Sequence, residues 1–539
     1  MKEQSTSRGF AVLSAAGIIG KIMSVVYVPV LMYILNKDGY AIYYASYQIF
    51  VFVYVITTSG IPVAISKLVS EMVSLKNYNA AIRSFKLSRA LLLLLGTTMA
   101  LLTFFLAEPL AHLINNPRSA LAIKALSPTI LITSVLSSYR GYFQGRGNMT
   151  PTAVSQVLEQ VINIALSLLG AFLLVKYSLE AGAAGGTVGT TMGAFAAAVY
   201  LMFLYERSKR FKLAPGDILD TEVYSNKMLL SKIISYGLPI TICVGLQNAG
   251  AVIDMSNILG RLQIAGFSEV MRLNLYGSLG QYNTLIGVPI TVVTALSVTV
   301  LPALSGAAVL KDKKKVQDKI NYAFRLCLLV AVPSAIGLAV LSKPIYTFVF
   351  TNRFADSYYL MLMGSVVVIL MSIVQIQTTV LQSLGKLYLS TAFLLAGIAA
   401  KIATNYILVA KPKININGAI IGNMICFIIP LILNSMVIRK GLKFRVSLFN
   451  HFISPFISSL FMSAAAYLFY INMHFISGKF MGGYLSNAIS LMVSIVIGAY
   501  VYLFGLALTG GIKNKDLESM PSRLKKLIPK RIINRIKAN

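Results

Sequence analysis

Tryptophan is absent from this chain, and histidine and cysteine occur three times each in 539 residues. Acids are scarce as well, with 17 Asp and Glu against 48 Lys and Arg. Each shortage excludes something. His112, His451 and His474 are far apart and form no metal-spaced pair. Cys243, Cys327 and Cys426 all fall in apolar stretches, so they make neither a disulfide framework nor a metal site and read as small packing residues. There is no phosphate-binding loop and no nucleophile elbow, and nothing else resembles an enzyme site. Charged residues are 12% of the chain, about half of the ~25% typical of soluble domains. With tryptophan missing, the 28 Tyr must supply any aromatic belt at a membrane surface.

What the chain has instead is apolar runs from end to end, with 57% hydrophobic residues and a mean hydropathy of +0.75. Roughly 20 mainly apolar residues suffice to cross a bilayer as a helix. Fourteen spans can be marked: 10–35, 40–65, 88–107, 119–138, 151–175, 184–205, 233–258, 274–304, 322–341, 359–381, 387–409, 417–438, 452–475 and 486–509. The first is too long for a signal-peptide core and has no small-residue cleavage site, so a retained helix is expected. Even parity puts both termini on one side. Positive charge follows that layout. The terminus side carries 35 Lys and Arg and the other side 11, with Lys21 and Lys401 inside spans, which accounts for all 48. By the positive-inside rule both termini are cytoplasmic in a bacterial plasma-membrane protein. The net charge of +31 therefore needs no nucleic acid, and no basic domain outside the membrane is present to bind one.

Short stretches recur at a common offset. Ser59-Gly60-Ile61-Pro62 returns as Ile286-Gly287-Val288-Pro289, 227 residues on. Gln144-Gly145-Arg146-Gly147 returns as Gln382-Ser383-Leu384-Gly385, 238 on, and Gly185 and Gly189 as Gly418 and Gly422, 233 on. Six spans separate the copies, which makes this a parallel repeat. The expected architecture is an all-α polytopic membrane protein. A six-helix lobe (1–205) and a cytoplasmic linker (206–232) precede a second six-helix lobe (233–438), two additional helices (439–510) and a basic cytoplasmic tail (511–539). The linker is far shorter than the ~50 residues of a catalytic domain. The tail reads as a basic interfacial helix, broken at Pro529, on the anionic inner leaflet.

Polar residues inside apolar spans mark the candidate site. Wound at 3.6 residues per turn, the stretch 235–263 puts Gln247, Gly250, Asp254, Asn257 and Arg261 on one face. An ionised group at mid-bilayer costs at least ~2.5–3.5 kcal/mol, so it faces a cavity or a partner. A water-filled interior and a buried helix–helix contact both satisfy this stripe. Ser14, Gly17, Lys21 and Ser24 share a face of the first span, with Lys21 roughly 18 Å along it, a depth that suits an anionic substrate. A structural ion pair of Lys21 with Asp254 or Glu159 is the competing account. Glu159 either pairs with a basic neighbour or binds a coupling cation. Lys401 either lines the second bundle or is a structural tie. Tyr40, Tyr44, Tyr47 and Tyr54 offer rings and hydroxyls for sugar groups, or ordinary packing. Pro62, Pro239, Pro289, Pro302 and Pro333 fall within spans, where proline frees a carbonyl and bends a helix.

The stretches SGIPVAISKLVSE (59–71), YRGYFQGRGNMTPTAVSQVLEQ (139–160), VIDMSNILGRLQIAG (252–266) and YGSLGQYNTLIGVPITVVTALSVTVLPALSGA (276–307) resemble the stage V sporulation protein B / polysaccharide biosynthesis family. That family is a branch of the multidrug/oligosaccharidyl-lipid/polysaccharide (MOP) exporter superfamily, related to MurJ-type lipid II flippases. The resemblance covers about 8–510. It implies two six-helix lobes with alternating access, two extra helices forming a groove for a lipid tail, and a substrate anchored on undecaprenyl pyrophosphate. Where MurJ-type members carry several arginines, Lys21 retains one positive charge, while Tyr27, Tyr54 and Thr284 stand at the other positions. The implied activity is flipping of a lipid-linked oligosaccharide or lipid II-like precursor. Its cavity is expected to be lined by Lys21, Tyr27, Tyr54, Gln247, Asp254 and Asn257. Glu159, Asp254 and Lys401 are left for an ion pair or for coupling to membrane potential, Na+ or H+. No cofactor is expected. The expected partners are the lipid-linked saccharide, membrane lipids, and cell-wall or spore-envelope synthesis machinery. The alternatives are a cation-coupled multidrug exporter of the same superfamily and a non-transporting scaffold for envelope synthases.

Overall fold

Hydrocarbon offers the backbone no hydrogen bonds, so a chain this apolar must satisfy its peptide groups within helices or a closed barrel. In the computed structural model, residues 6–208, 224–309, 313–442 and 448–511 are described, and no strand occurs among them. The helices are α1 (Thr6–Thr58), α2 (Gly60–Ser74), α3 (Tyr78–Phe105), α4 (Ala107–Leu113), α5 (Ala120–Gly145), α6 (Thr150–Leu174), α7 (Leu179–Ser208) and α8 (Asn226–Ile264). They continue as α9 (Glu269–Val309), α10 (Lys313–Val340), α11 (Ser342–Phe354), α12 (Tyr358–Gly364), α13 (Val366–Ser383), α14 (Leu387–Leu408), α15 (Asn417–Leu442), α16 (Leu448–Ser477) and α17 (Gly483–Leu508).

Local chemistry sets many of the ends. Asn77 caps α3 by accepting from the Ala80 amide at 3.0 Å, and Ser225 caps α8 by accepting from Met228 at 3.2 Å. Left-handed glycines stand at several helix ends. Gly147 (φ 70), Gly266 (φ 87) and Gly385 (φ 75) follow α5, α8 and α13. In each case the glycine amide bonds three residues back and the next amide five back, the Schellman pattern.

Thirteen helices among the described residues are long and apolar enough to cross a membrane, against the fourteen spans expected. The difference lies at the start of the chain. The expected spans 10–35 and 40–65 meet one continuous candidate, Val26–Val73. Within α1 only Asn36 leaves helical geometry (φ 61, ψ 179). There α1 is two helices joined across a kink, within the polar stretch Asn36-Lys37-Asp38-Gly39 that separates the two expected spans. Elsewhere the expected span 359–381 is broken into α12 and α13 at Ser365. Most of the expected linker, 209–223, and the tail beyond 511 lie outside the described residues.

The chain forms two compact units. Unit 1 is Met1–Gly280 with Asn405–Ile416; unit 2 is Gln281–Thr404 with Asn417–Asn539. In unit 1, α6 and α7 meet through small residues. Gly170 and Gly185 lie backbone to backbone, and Gly189 lies against the Asn163 carbonyl and Ser167, leaving no room for a Cβ. Lipid-immersed helices lack a hydrophobic drive toward each other, so this close approach supplies the cohesion. A second core gathers Phe85, Tyr139, Tyr142 and Tyr205, with ring centroids 4.8–5.6 Å apart. In unit 2, α9, α10, α13 and α15 share a core that includes Val293, Phe324, Val332 and Ile376. Gly397 of α14 packs on the Cys426 carbonyl of α15. It lies 227 residues beyond Gly170, an offset that matches the sequence repeat. All three cysteines are buried.

Candidate functional site

Within unit 1, α1 carries a column of rings generated by the i, i+3 and i, i+4 spacing of its tyrosines. Tyr40 stacks on Tyr44 at 6.0 Å, Tyr43 on Tyr47 at 5.9 Å, and Phe50 follows Tyr47 at 5.5 Å. Tyr54 continues the column 5.7 Å from Phe50, and Tyr44 meets Tyr276 at 5.5 Å. Tyr27 joins edge-on to Tyr43 at 6.4 Å and is only 7% exposed. Its hydroxyl lies 3.3 Å from both the Tyr43 hydroxyl and the Gly186 carbonyl, to one of which it donates. So Tyr27 is packed, while Tyr54 is half-buried at the other end of the column.

The polar stripe of α8 meets the end of α14. Asp254 is 5% exposed, and the Asn405 side-chain amide donates to its carboxylate at 2.6 Å. Next to it in sequence, Tyr406 presents its ring to the Arg261 guanidinium, 3.0 Å from the centroid. Gly250 is buried, and Gln247 and Asn257 are half-buried on the same helix. Asp254 thus takes part in a buried polar contact between helices. Glu159 takes part in a half-buried one: its carboxylate accepts from Arg140 of α5 at 2.6 Å, and Arg140 also donates to Ser155 at 3.0 Å. Lys401 is half-buried on α14. The Lys21 side chain lies outside the described residues, although its backbone is within α1. The structure therefore groups Tyr27 with Tyr54, and places Asp254 and Glu159 in separate polar contacts.

Arg140, Asn405 and Tyr406 were not singled out in the sequence. Arg140 was counted among loop cations, yet it sits on α5. Asn405, an amide inside an apolar span, was the legible signal for a helix partner.

Unit 2 holds a different feature. An apolar groove of about 490 Å³ runs between α9, α10, α16 and α17, lined by Val288, Pro289, Pro333, Gly337, Met462 and Gly498 among others. Two of the prolines flagged in the sequence thus line it. Its hydroxyls are turned away: Ser334 donates to Val330 at 2.7 Å, Ser463 to Leu460 at 2.9 Å and Ser494 to Ser490 at 2.6 Å, each on its own helix. Pro333 has no amide hydrogen, so the Leu329 carbonyl loses its helical donor. The Tyr502 hydroxyl of α17 takes that place at 2.8 Å. The polar atoms are thereby satisfied internally, and the wall left to an occupant is hydrocarbon.

The polysaccharide biosynthesis protein family matches residues 6–308. The chain belongs to that family. This family member is 25% identical to stage V sporulation protein B of Bacillus subtilis (strain 168), over 97% of this chain and 98% of that protein. It is also 25% identical to the lipid II flippase MurJ of the same organism, over 92% of this chain and 94% of that protein. Among solved structures, lipid II flippase MurJ in an inward closed conformation superposes with a TM-score of 0.66 at 16% identity, covering 93% of this chain and 98% of MurJ. An inward-facing multidrug resistance MATE family transporter of the MOP superfamily gives 0.65 at 16% identity, covering 78% of this chain and 95% of its own. The fold is the MurJ and MATE fold of multi-pass membrane proteins.

Proposed function

We propose that this protein is a flippase that moves an undecaprenyl-pyrophosphate-linked oligosaccharide or a lipid II-like precursor across the bacterial plasma membrane by alternating access. The observation that carries the reading is the groove of unit 2. A carrier of a lipid-anchored substrate needs an apolar surface for the chain, and every hydroxyl along this groove is bonded back into the protein. The 93% coverage by MurJ against 78% by the MATE transporter supports the same side. In this reading both termini are cytoplasmic. Lys21 meets the pyrophosphate, whose charge needs compensation inside hydrocarbon. Tyr54, Gln247 and Asn257 meet the head group, with Tyr27 packed behind them. Asp254 pairs with a cation, either a side chain or a coupling Na+ or H+. Cell-wall or spore-envelope synthases supply or consume the substrate.

The test is flipping in proteoliposomes of a labelled undecaprenyl-pyrophosphate saccharide by the parent chain and by Lys21→Ala. Flipping by the parent and its loss in a folded Lys21→Ala chain are expected. Buried Asp254 is what a cation-coupled drug exporter of the same superfamily would use. If the folded parent moves no such lipid but releases a cationic dye under an ion gradient, the exporter reading replaces the flippase.

A further inference from the structure

The apolar groove has a polar neighbour in the same unit. A cavity of about 710 Å³ lies where α10, α11, α16 and α17 come together, and Val340 lines both spaces. Its wall includes Lys343, His474, Tyr358, Tyr470 and Asn487, and none of its lining residues is acidic. The frame is rigid. Asn487 is 2% exposed, accepts from the Tyr470 hydroxyl at 2.7 Å and donates to the Pro344 carbonyl at 3.2 Å. His474 stacks on Tyr470 at 5.5 Å with the rings 8° from parallel. Its Nδ1 lies 2.9 Å from the Ser486 hydroxyl, which leaves Nε2 as the ring atom for a ligand. Tyr484 adds a bond from its hydroxyl to the Phe348 carbonyl at 3.1 Å, tying the start of α17 to α11. A flexible ammonium, a ring nitrogen in fixed orientation and a phenol hydroxyl, with no competing carboxylate, make a receptor for an oxyanion. The adjoining groove admits hydrocarbon.

We propose that this cavity binds the phosphate head of a lipid whose hydrocarbon chain lies in the adjoining groove. The proposal rests on the flippase reading only for the choice of a polyprenyl phosphate as the first lipid to try. The phosphate site itself is no part of that reading. Lys343 supplies the charge, and His474 Nε2 and the Tyr358 hydroxyl donate, the Tyr470 proton being held by Asn487.

The experiment measures equilibrium binding of radiolabelled undecaprenyl phosphate to the purified full chain in detergent, by scintillation proximity. The competitors are undecaprenol, phosphatidylglycerol and inorganic phosphate. Lys343→Gln and His474→Gln should each weaken binding about tenfold, the loss of one charge-assisted hydrogen bond, while Lys343→Arg should stay within about twofold. Undecaprenol should compete at least about tenfold more weakly, because it offers no oxyanion. Displacement by phosphatidylglycerol as effective as by undecaprenyl phosphate assigns the site to bulk anionic lipid, with the phosphate chemistry intact. Displacement by inorganic phosphate at the same concentrations shows the head alone to be the ligand, and overturns the role given to the groove. Unchanged affinity in the Lys343→Gln/His474→Gln chain, melting like the parent, or equal competition by undecaprenol, overturns the site. Binding is read without transport. A chain that binds in this way yet flips no lipid-linked saccharide refutes the flippase alone. A chain that flips while the double variant binds normally refutes this site alone.

Discussion

Tyr502 and Pro333 are predicted to depend on each other. Pro333 leaves the Leu329 carbonyl of α10 without its helical donor, and the Tyr502 hydroxyl, 2.8 Å away on a residue 8% exposed, supplies one from α17. Tyr502→Phe removes that donor and nothing else of the ring. A stranded buried acceptor costs about 1–3 kcal/mol. Hydrogen bonds between membrane helices average nearer 0.6 kcal/mol, with ~1.7 as the measured upper end. Tyr502 and Pro333 line a groove whose own hydroxyls are bonded elsewhere, so a loss of about 1–2 kcal/mol is expected. The assay is reversible unfolding of the purified chain in mixed micelles, followed by helical circular dichroism because the protein has no tryptophan. The decisive variant is Tyr502→Phe with Pro333→Ala. Alanine restores the amide that bonds Leu329 within α10, so the second change should recover most of the first loss. The reasoning fails if Tyr502→Phe unfolds with the parent. It also fails if the double variant is as unstable as the two single losses added together, since independent sites add.

Three further outcomes follow from other contacts. Glu159→Gln strands Arg140 in a pair only 14% and 19% exposed; this should cost about 2–3 kcal/mol, between the exposed and the fully buried cases, and Arg140→Met with Glu159→Leu should unfold closer to the parent than Glu159→Gln does. Two glycines should separate strain from crowding: a Cβ at Gly147 (φ 70) meets nothing within 4 Å, so Gly147→Ala should lose about 1–2 kcal/mol from backbone conformation alone, whereas Gly189→Ala collides with Asn163 and Ser167 and should lose at least as much again, read as melting temperature in detergent. The hydrogen bond from Lys124 and then its charge hold the Glu108 carboxyl below its ordinary value of 4.5. A lowered carboxylate stabilises the fold above its unfolded pKa, and that stabilisation is lost as pH falls through the folded value. Lys124→Gln should bring the Glu108 titration, followed by carboxyl NMR, back up toward 4.5, and added salt should shrink the difference because the group is exposed.

Apolar length made most of the fold legible. Helices α6, α14, α15, α16 and α17 cover the expected spans closely, because roughly 20 apolar residues have one economical form in a bilayer, while α3 starts ten residues early and α5 runs seven past its span. The repeat around Gly147 and Gly385 was legible for a specific reason: both are the left-handed residue of a Schellman cap, which only glycine fills without strain. The break at Asn36 was legible as the polar stretch between the expected spans 10–35 and 40–65, although nothing there told that it would be a kink of a single residue. The candidate site was half legible. Periodicity placed Asp254 on a polar stripe, but its acceptance of the Asn405 amide joins residues 151 apart, and no helical spacing encodes that. Arg140 was hidden by its position, since a cation near the end of a span reads as loop charge until the helix is seen to continue past it.

The groove itself follows from how small residues are used on different helix pairs. On α6 and α7 of unit 1, Gly170, Gly185 and Gly189 let two backbones touch, and the space a side chain would take is filled by the neighbouring helix. In unit 2, the space at Gly397 is filled in the same way by α15, and a Cβ on Gly498 would meet Ala466 at 3.2 Å, yet one on Gly337 would reach only the Met462 terminal methyl, at 3.6 Å. The difference lies in what surrounds them. Pro333 breaks the bonding of α10 beside Gly337, and α17 answers with a tyrosine hydroxyl instead of a close backbone. A long ring between α10 and α17 is a spacer as well as a donor, so Gly337 borders a groove that no neighbouring helix fills. The spacing of α10 and α17 there is held by a hydrogen bond whose acceptor is free only because of a proline. A gap braced in this way, with its serines bonded inward, suits an occupant that brings hydrocarbon of its own.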